Sequence, residues 1–133
     1  MSFGKDLRKF QAKTEAKMGR VVRKISLDMF TEVIMMSPVD TGRFRGNWQT
    51  AVGDAPDGTV ELLDPDGNTV IAKASGAVAD MKPGDVIYMA NNLPYAEALE
   101  DGWSGQAPGG MVALTLQKYV PIADRIIRQI GAE

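Results

Sequence analysis

The stretch from Phe3 to Met36, FGKDLRKFQAKTEAKMGRVVRKISLDMFTEVIMM, stands directly before Ser37-Pro38. Within it Phe3, Leu7, Phe10, Thr14, Met18, Val21, Ile25, Met29, Val33 and Met36 recur with a mean step of about 3.7 residues, close to the ~3.6 of an α-helix. A proline drives the residue before it out of the helical region, so the pattern predicts one helix ending near Met36, roughly 50 Å long at ~1.5 Å per residue. A compact chain of 133 residues is only roughly 35 Å across. One end of the helix is therefore expected to protrude or bend. Lys5, Lys9, Lys13 and Lys17 follow an i,i+4 ridge on the side away from the apolar stripe, which leaves the protruding half amphipathic and in need of a neighbour.

Charge follows the same division. Residues 1–24 hold eight bases, among them Arg20 and Lys24, against two acids, whereas the rest of the chain holds seven bases against fifteen acids. A basic arm of +6 on an acidic body of −8 points to contact of the arm with nucleic acid phosphates, to docking on an acidic protein surface, or to a solvated helix face. Residues 1–133 read as a single domain of which residues 1–24 form this arm.

Beyond the helix, Ser37-Pro38-Val39-Asp40-Thr41-Gly42 is a turn cluster, and the alternation of large and polar residues over 43–52 suits a strand. A second strand is expected at 59–63, making a hairpin across the turn Ala55-Pro56-Asp57-Gly58. Asn68 or Thr69 is placed to cap a helix running to about Ala79, and Asp85 to Asn91 reads as a strand. Pro94 opens a short helix through Glu100, the glycine-rich loop 103–110 is irregular, and a last helix is expected from Met111 to about Ile130. In that helix Val112, Leu116, Val120, Ala123, Ile127 and Ile130 are expected to face inward, with a kink at Pro121. The fold class is α+β: a long N-terminal helix, a small antiparallel sheet flanked by helices, and a C-terminal helix.

The chain has no histidine and no cysteine, which excludes disulfides, thiolate zinc sites, cysteine nucleophiles and His-bearing triads. Gly102-Trp103-Ser104-Gly105-Gln106 departs from a nucleophile elbow, because glutamine stands where the motif requires glycine. Asp64-Pro65-Asp66-Gly67-Asn68 opens like a calcium loop, but Ser75 occupies the position of the bidentate glutamate, so it reads as a turn. The carboxylate pairs Asp80/Asp85 and Glu97/Glu100 read as solvated acids. No catalytic, cofactor or metal site is expected, no stretch has the ~18 apolar residues of a membrane span, and the N-terminus lacks the features of a secretory signal.

Two segments carry a resemblance. Ser37-Pro38-Val39-Asp40-Thr41-Gly42-Arg43-Phe44-Arg45-Gly46-Asn47-Trp48 comes first, followed by Ile87-Tyr88-Met89-Ala90-Asn91-Asn92-Leu93-Pro94-Tyr95-Ala96 and Gly102-Trp103-Ser104-Gly105-Gln106-Ala107-Pro108. In order and spacing they resemble the tail-completion, or minor tail protein, family of long-tailed bacteriophages. The resemblance implies a non-catalytic virion protein in a homo-oligomeric ring, expected to be a hexamer, that joins the DNA-filled head to the tail tube. Its implied partners are further copies of itself, the tail tube protein, the head-tail connector proteins and the genomic DNA in the channel, with no membrane. Arg43, Arg45, Trp48, Tyr95, Trp103 and Gln106 are the expected ring or tail contacts, and the basic ridge read from charge gives Lys5, Lys9, Lys13, Lys17, Arg20 and Lys24 as the expected contacts with a partner or DNA. The alternatives are a small DNA-binding protein that uses the basic helix and a carboxylate-dependent phage enzyme.

Overall fold

A computed structural model describes the backbone of residues 3–132 and the side chains of residues 16–131. Helix α1 spans Phe3–Met36 and ends where Pro38 requires. Ser37 completes the stop, its amide bonding to Ile34 O at 3.2 Å and its hydroxyl donating to Val33 O at 2.7 Å. There follow α2 (Arg43–Gly46), β1 (Trp48–Val52), α3 (Asn68–Ala79), β2 (Ile87–Asn91), α4 (Ala96–Glu100) and α5 (Val112–Ala132). The fold is α+β.

Strands β1 and β2 pair antiparallel, with Trp48 opposite Asn91 and Val52 opposite Ile87. A two-stranded sheet is marginal in water unless one face is covered. Here α3 packs on β1 and α1 lies against α3, and the core gathers Val33 and Ile34 of α1, Phe44, Trp48, Val70, Leu93, Ala107 and Met111. Helix α3 supplies its face at i, i+4 and i+8, burying Val70, Ala74 and Val78. Helix α5 runs antiparallel along α1: Thr115 sits by Met36, Lys118 reaches Glu32, and Ile126 and Ile130 lie beside Lys17 and Val21. Lys118 Nζ contacts the two Glu32 carboxylate oxygens at 3.0 and 3.3 Å. Its hydrogen bond, reinforced by Tyr119, holds the Glu32 carboxyl below the usual carboxylate range. Ile130 marks α5 near its end as level with the turn at Lys17, and α1 begins about four turns earlier.

Several sequence expectations are corrected. Residues 43–46 form a helical turn, not the start of a strand, because Gly42 takes φ 91° and its carbonyl accepts the Gly46 amide at 2.9 Å. Four residues with alternate bulk fit one helical turn as well as a strand, and this turn buries Phe44 and Gly46. Residues 59–63 are not a strand, and the expected local hairpin is replaced by pairing of β1 with the more distant β2. The fully buried Asn47 side chain takes the ladder's place. Its Oδ1 accepts the Val60 amide at 2.9 Å, and its Nδ2 donates to Val60 O and Arg43 O at 3.1 and 2.8 Å.

Helix α3 has Gly67 at its cap position without a side-chain bond, and Asp64 Oδ2 receives the Val70 amide at 2.8 Å instead. Helix α5 continues through Pro121 as one element. Of its expected inward residues Ile130 is buried and Ala123 half-buried, whereas Val112, Leu116, Val120 and Ile127 are exposed. The buried face is Met111, Thr115 and Ile130, and Thr115 is tolerated inside because its hydroxyl donates to Met111 O at 2.8 Å.

Candidate functional site

The three motif segments meet at one place. Where α1 stops, the backbone of Val39 is held by a single side chain 67 residues later: Gln106 Oε1 accepts its N–H at 2.9 Å, and Gln106 Nε2 donates to its carbonyl at 3.1 Å. One amide thus imitates a strand neighbour and ties the 103–110 loop to the 37–42 turn. The turn folds back at Gly42, where an added Cβ would overlap the backbone nitrogen of Pro65, so only glycine permits the approach. Helix α2 then directs Phe44 inward and Arg43 outward. Phe44 meets Trp48 edge-on at 5.7 Å and Tyr95, at the start of α4, at 6.1 Å.

Val39, Phe44, Tyr95 and Leu99 with Ser104 and Gln106 line a groove of about 290 Å³ that has Asp40 and Arg43 in its lining. The asparagines of the second motif hold the frame. Asn91 Nδ2 donates to Phe44 O at 2.9 Å, and Asn92 Nδ2 donates to Pro56 O and Gly58 O at 3.1 and 3.0 Å.

The implied contact residues divide sharply. Tyr95 is 42% exposed and Trp103 81% exposed, and the exposed Arg43 guanidinium makes no bond among the described residues. Arg45, half-buried, and Trp48, buried, are both engaged within the subunit. Arg45 donates from Nε to Ser37 O (3.2 Å), from Nη1 to Pro65 O (2.8 Å) and from Nη2 to Met35 O (2.8 Å), which closes the C-terminal end of α1. Trp48 is buried, and its Nε1 donates to Ser37 Oγ at 2.8 Å. Gln106 is exposed, but its amide is committed to Val39.

Of the basic residues, the side chains of Lys5, Lys9 and Lys13 lie outside the described residues. Lys17 and Arg20 border a shallow depression with Val21, Ile126, Gln129 and Ile130. Lys24 is solvated and 3.3 Å from Asp28, an i,i+4 pair of small energetic weight.

Glu100 is the residue that sequence reasoning misplaced. It is no solvated acid: Oε1 accepts the Met111 and Val112 amides, each at 2.9 Å, and Oε2 accepts that of Ala113 at 3.0 Å. Burial pushes its carboxyl up, and the three amides outweigh that and hold it below the usual range. Nothing in the spacing announces this cap, because Glu100 precedes α5 by twelve residues. Sequence reading also passed over a second groove, of about 390 Å³, between α1 at Met18–Arg23 and the segment 81–85.

Ser104 Oγ accepts the Gln106 amide at 3.1 Å within its own turn, and the chain has no histidine to activate it. No group of three or more potential metal-ligating side chains comes together among the described residues. No described helix is long and apolar enough to cross a membrane. No family model matches the chain, and comparison with curated proteins and with solved structures likewise found no match.

Proposed function

We propose that this chain is a structural protein of a long-tailed bacteriophage: a non-catalytic neck or tail-completion subunit that assembles as a homo-oligomeric ring between the DNA-filled head and the tail tube. The observation that carries the reading is the meeting of the three quoted segments at one groove. Gln106 clasps Val39, and Tyr95 packs on Phe44. Residues that each satisfy local turn geometry thereby also build one groove of mixed character, with the exposed Tyr95 in its lining and the exposed Trp103 next in sequence to Ser104 of that lining. Exposed aromatics on a fixed scaffold are the residue types that dominate protein interfaces.

The long α1 and the exposed apolar residues of α5 add surfaces that neighbours in an assembly would cover. Under this reading the subunit resides in the virion neck, and in the host cytoplasm during assembly. Its partners are further copies, the tail tube protein and the head-tail connector proteins, and the basic arm faces DNA or an acidic protein surface.

The test is to mix the purified chain with tail tubes of its phage and image them by negative-stain electron microscopy. The reading expects a disc of density at the head-proximal end of the tubes, lost with Tyr95→Ala. Bare tubes at saturating protein would overturn it.

A further inference from the structure

The sheet has one edge that no other strand covers. The Gly53 amide donates at 2.8 Å to Val86 O, which stands opposite it when the β1–β2 register is carried one pair further, and this fixes the phase of the ladder. Val86, Tyr88 and Ala90 therefore turn their backbone groups towards β1, and Ile87, Met89 and Asn91 turn theirs away. Those outward N–H and C=O groups make no hydrogen bond among the described residues. None of the three residues is fully buried, and no helix packs on β2 as α3 does on β1. Natural edges are commonly blunted by charge or proline, and Ile-Tyr-Met-Ala-Asn carries neither.

The chain also holds a strand without a sheet. Residues 59–63, Thr-Val-Glu-Leu-Leu, have the composition of a strand, and they run straight, without turn or bend, yet they pair with no strand. Asn47 takes both backbone groups of Val60, so in an extended segment those of Thr59, Glu61 and Leu63 face the other way. They too make no hydrogen bond among the described residues. All three residues are exposed, and Leu63, an apolar side chain, is 63% exposed.

Within one chain the two cannot meet, because Asn47 holds Val60 at the start of β1 and the open edge of β2 looks away from β1. We infer that residues 59–63 of one copy add as a strand to the open edge of β2 in the next copy. Antiparallel pairing of Leu63 with Ile87, Glu61 with Met89 and Thr59 with Asn91 sets every outward residue against another. Each such pair exchanges two hydrogen bonds, about six in all, and a slip along the strand loses a pair. The register also lays the exposed Leu63 beside Ile87. Pairing of β2 with β2 of another copy meets the same edge but closes on itself as a dimer and leaves 59–63 unpaired. Addition of 59–63 meets both sets of groups in every copy, and, joining unlike surfaces, it propagates until the rotation between copies closes a ring. It rests on the reading above in taking the chain to assemble with itself, and it names the contact that does so.

The chain has no cysteine, so disulfide trapping reads the register directly. Full chains carrying Leu63→Cys or Ile87→Cys are oxidised separately and mixed, then run on a non-reducing gel. Residues facing each other in a hydrogen-bonded pair have Cα atoms about 5.5 Å apart, within disulfide reach. The mixture is expected to give a cross-linked heterodimer, and a chain carrying both substitutions a ladder of multimers. Leu63→Cys mixed with Trp103→Cys, an exposed position elsewhere, measures chance collision and is expected to cross-link at least about tenfold more slowly. Independently, Glu61→Pro removes an amide that is unbonded in the free subunit and is expected to leave circular dichroism unchanged while weakening self-association in sedimentation velocity about tenfold. A disulfide dimer of Met89→Cys alone would mean that β2 pairs with β2, and it overturns the inference. A monomeric wild-type chain, trapping no faster than the Trp103→Cys control, or association indifferent to Glu61→Pro does so equally. Tail tubes capped by a ring that forms unchanged with Glu61→Pro would leave the neck reading standing without this contact. Register-specific trapping with tubes left bare would support the contact and remove the neck reading.

Discussion

Replacing Glu100 with alanine tests how α5 is anchored to the rest of the fold. The carboxylate receives three amides at 2.9–3.0 Å, and its loss strands all three. The Val112 and Ala113 amides belong to exposed residues and can turn to water, whereas Met111 is 1% exposed and its amide cannot without opening the core. Loss of a helix cap costs about 1 kcal/mol, and a buried donor left unsatisfied about 1–3 kcal/mol. Glu100→Ala is therefore expected to destabilise the chain by about 2–4 kcal/mol, a fall of roughly 5–15 °C in Tm for a domain of this size.

Glu100→Gln keeps an oxygen for Met111 and Val112 but sets an amino group against the Ala113 N–H, and is expected to cost about 1–2 kcal/mol. The effect also carries a pH signature. The three amides hold the folded carboxyl below the usual carboxylate range, so its contribution is complete above that range and is lost as pH falls through the folded pKa. Urea unfolding of wild type and Glu100→Ala should differ by a constant amount from about pH 8 to 6, and the gap should narrow in acid as pH falls through the folded pKa. Equal stabilities at pH 7, or a gap that persists unchanged into acid, would refute the reasoning.

The Arg45 guanidinium bonds three carbonyls at the end of α1. Arg45→Ala is expected to cost about 2–4 kcal/mol in urea unfolding, and Arg45→Lys to recover less than half, since an ammonium cannot reproduce the planar fork. Gly46→Ala places a Cβ on the Leu62 carbonyl and should cost about 3 kcal/mol or more; a thermal midpoint within a degree of wild type would contradict the packing of the 59–63 segment. Replacing Lys5, Lys9, Lys13 and Lys17 together with glutamine should leave the subunit folded by circular dichroism while particles fail to join heads to tails, or join them in a salt-sensitive way. Normal yields of infectious particles would mark the ridge as a solvated face.

What the sequence makes legible here are features set by local chemistry. Pro38 stops α1 where it must, α3 occupies 68–79 between turn signals, and Gly102 ends α4. What it hides is set by contacts between distant residues. The pairing of Trp48 with Asn91 leaves no local trace, and the hairpin expected over 43–63 fails because Asn47, read as an ordinary polar residue, hydrogen-bonds Val60 in place of a ladder. Helix α5 carries two apolar stripes side by side. Periodicity favours the one through Val112 and Leu116, whereas burial selects the one through Met111 and Thr115, where Glu100 and α1 hold it.

The candidate site shows the same division. Sequence order marks Tyr95 and Trp103, which remain at the surface, but it gives no means of telling Arg43 from Arg45. Only the three-dimensional return of the chain turns Arg45 onto the carbonyls of Met35, Ser37 and Pro65.

The central claim is that this chain is a neck ring subunit. The most direct measurement is a cryo-electron microscopy map of the head-tail junction of the intact phage particle, at a resolution that separates helices. The account predicts a ring at the junction whose every subunit holds this fold, with α1 traceable as a single long rod and the surface bearing Tyr95 and Trp103 against a neighbour. A junction fully occupied by other proteins, with this chain absent from the particle or located elsewhere in it, would contradict the account.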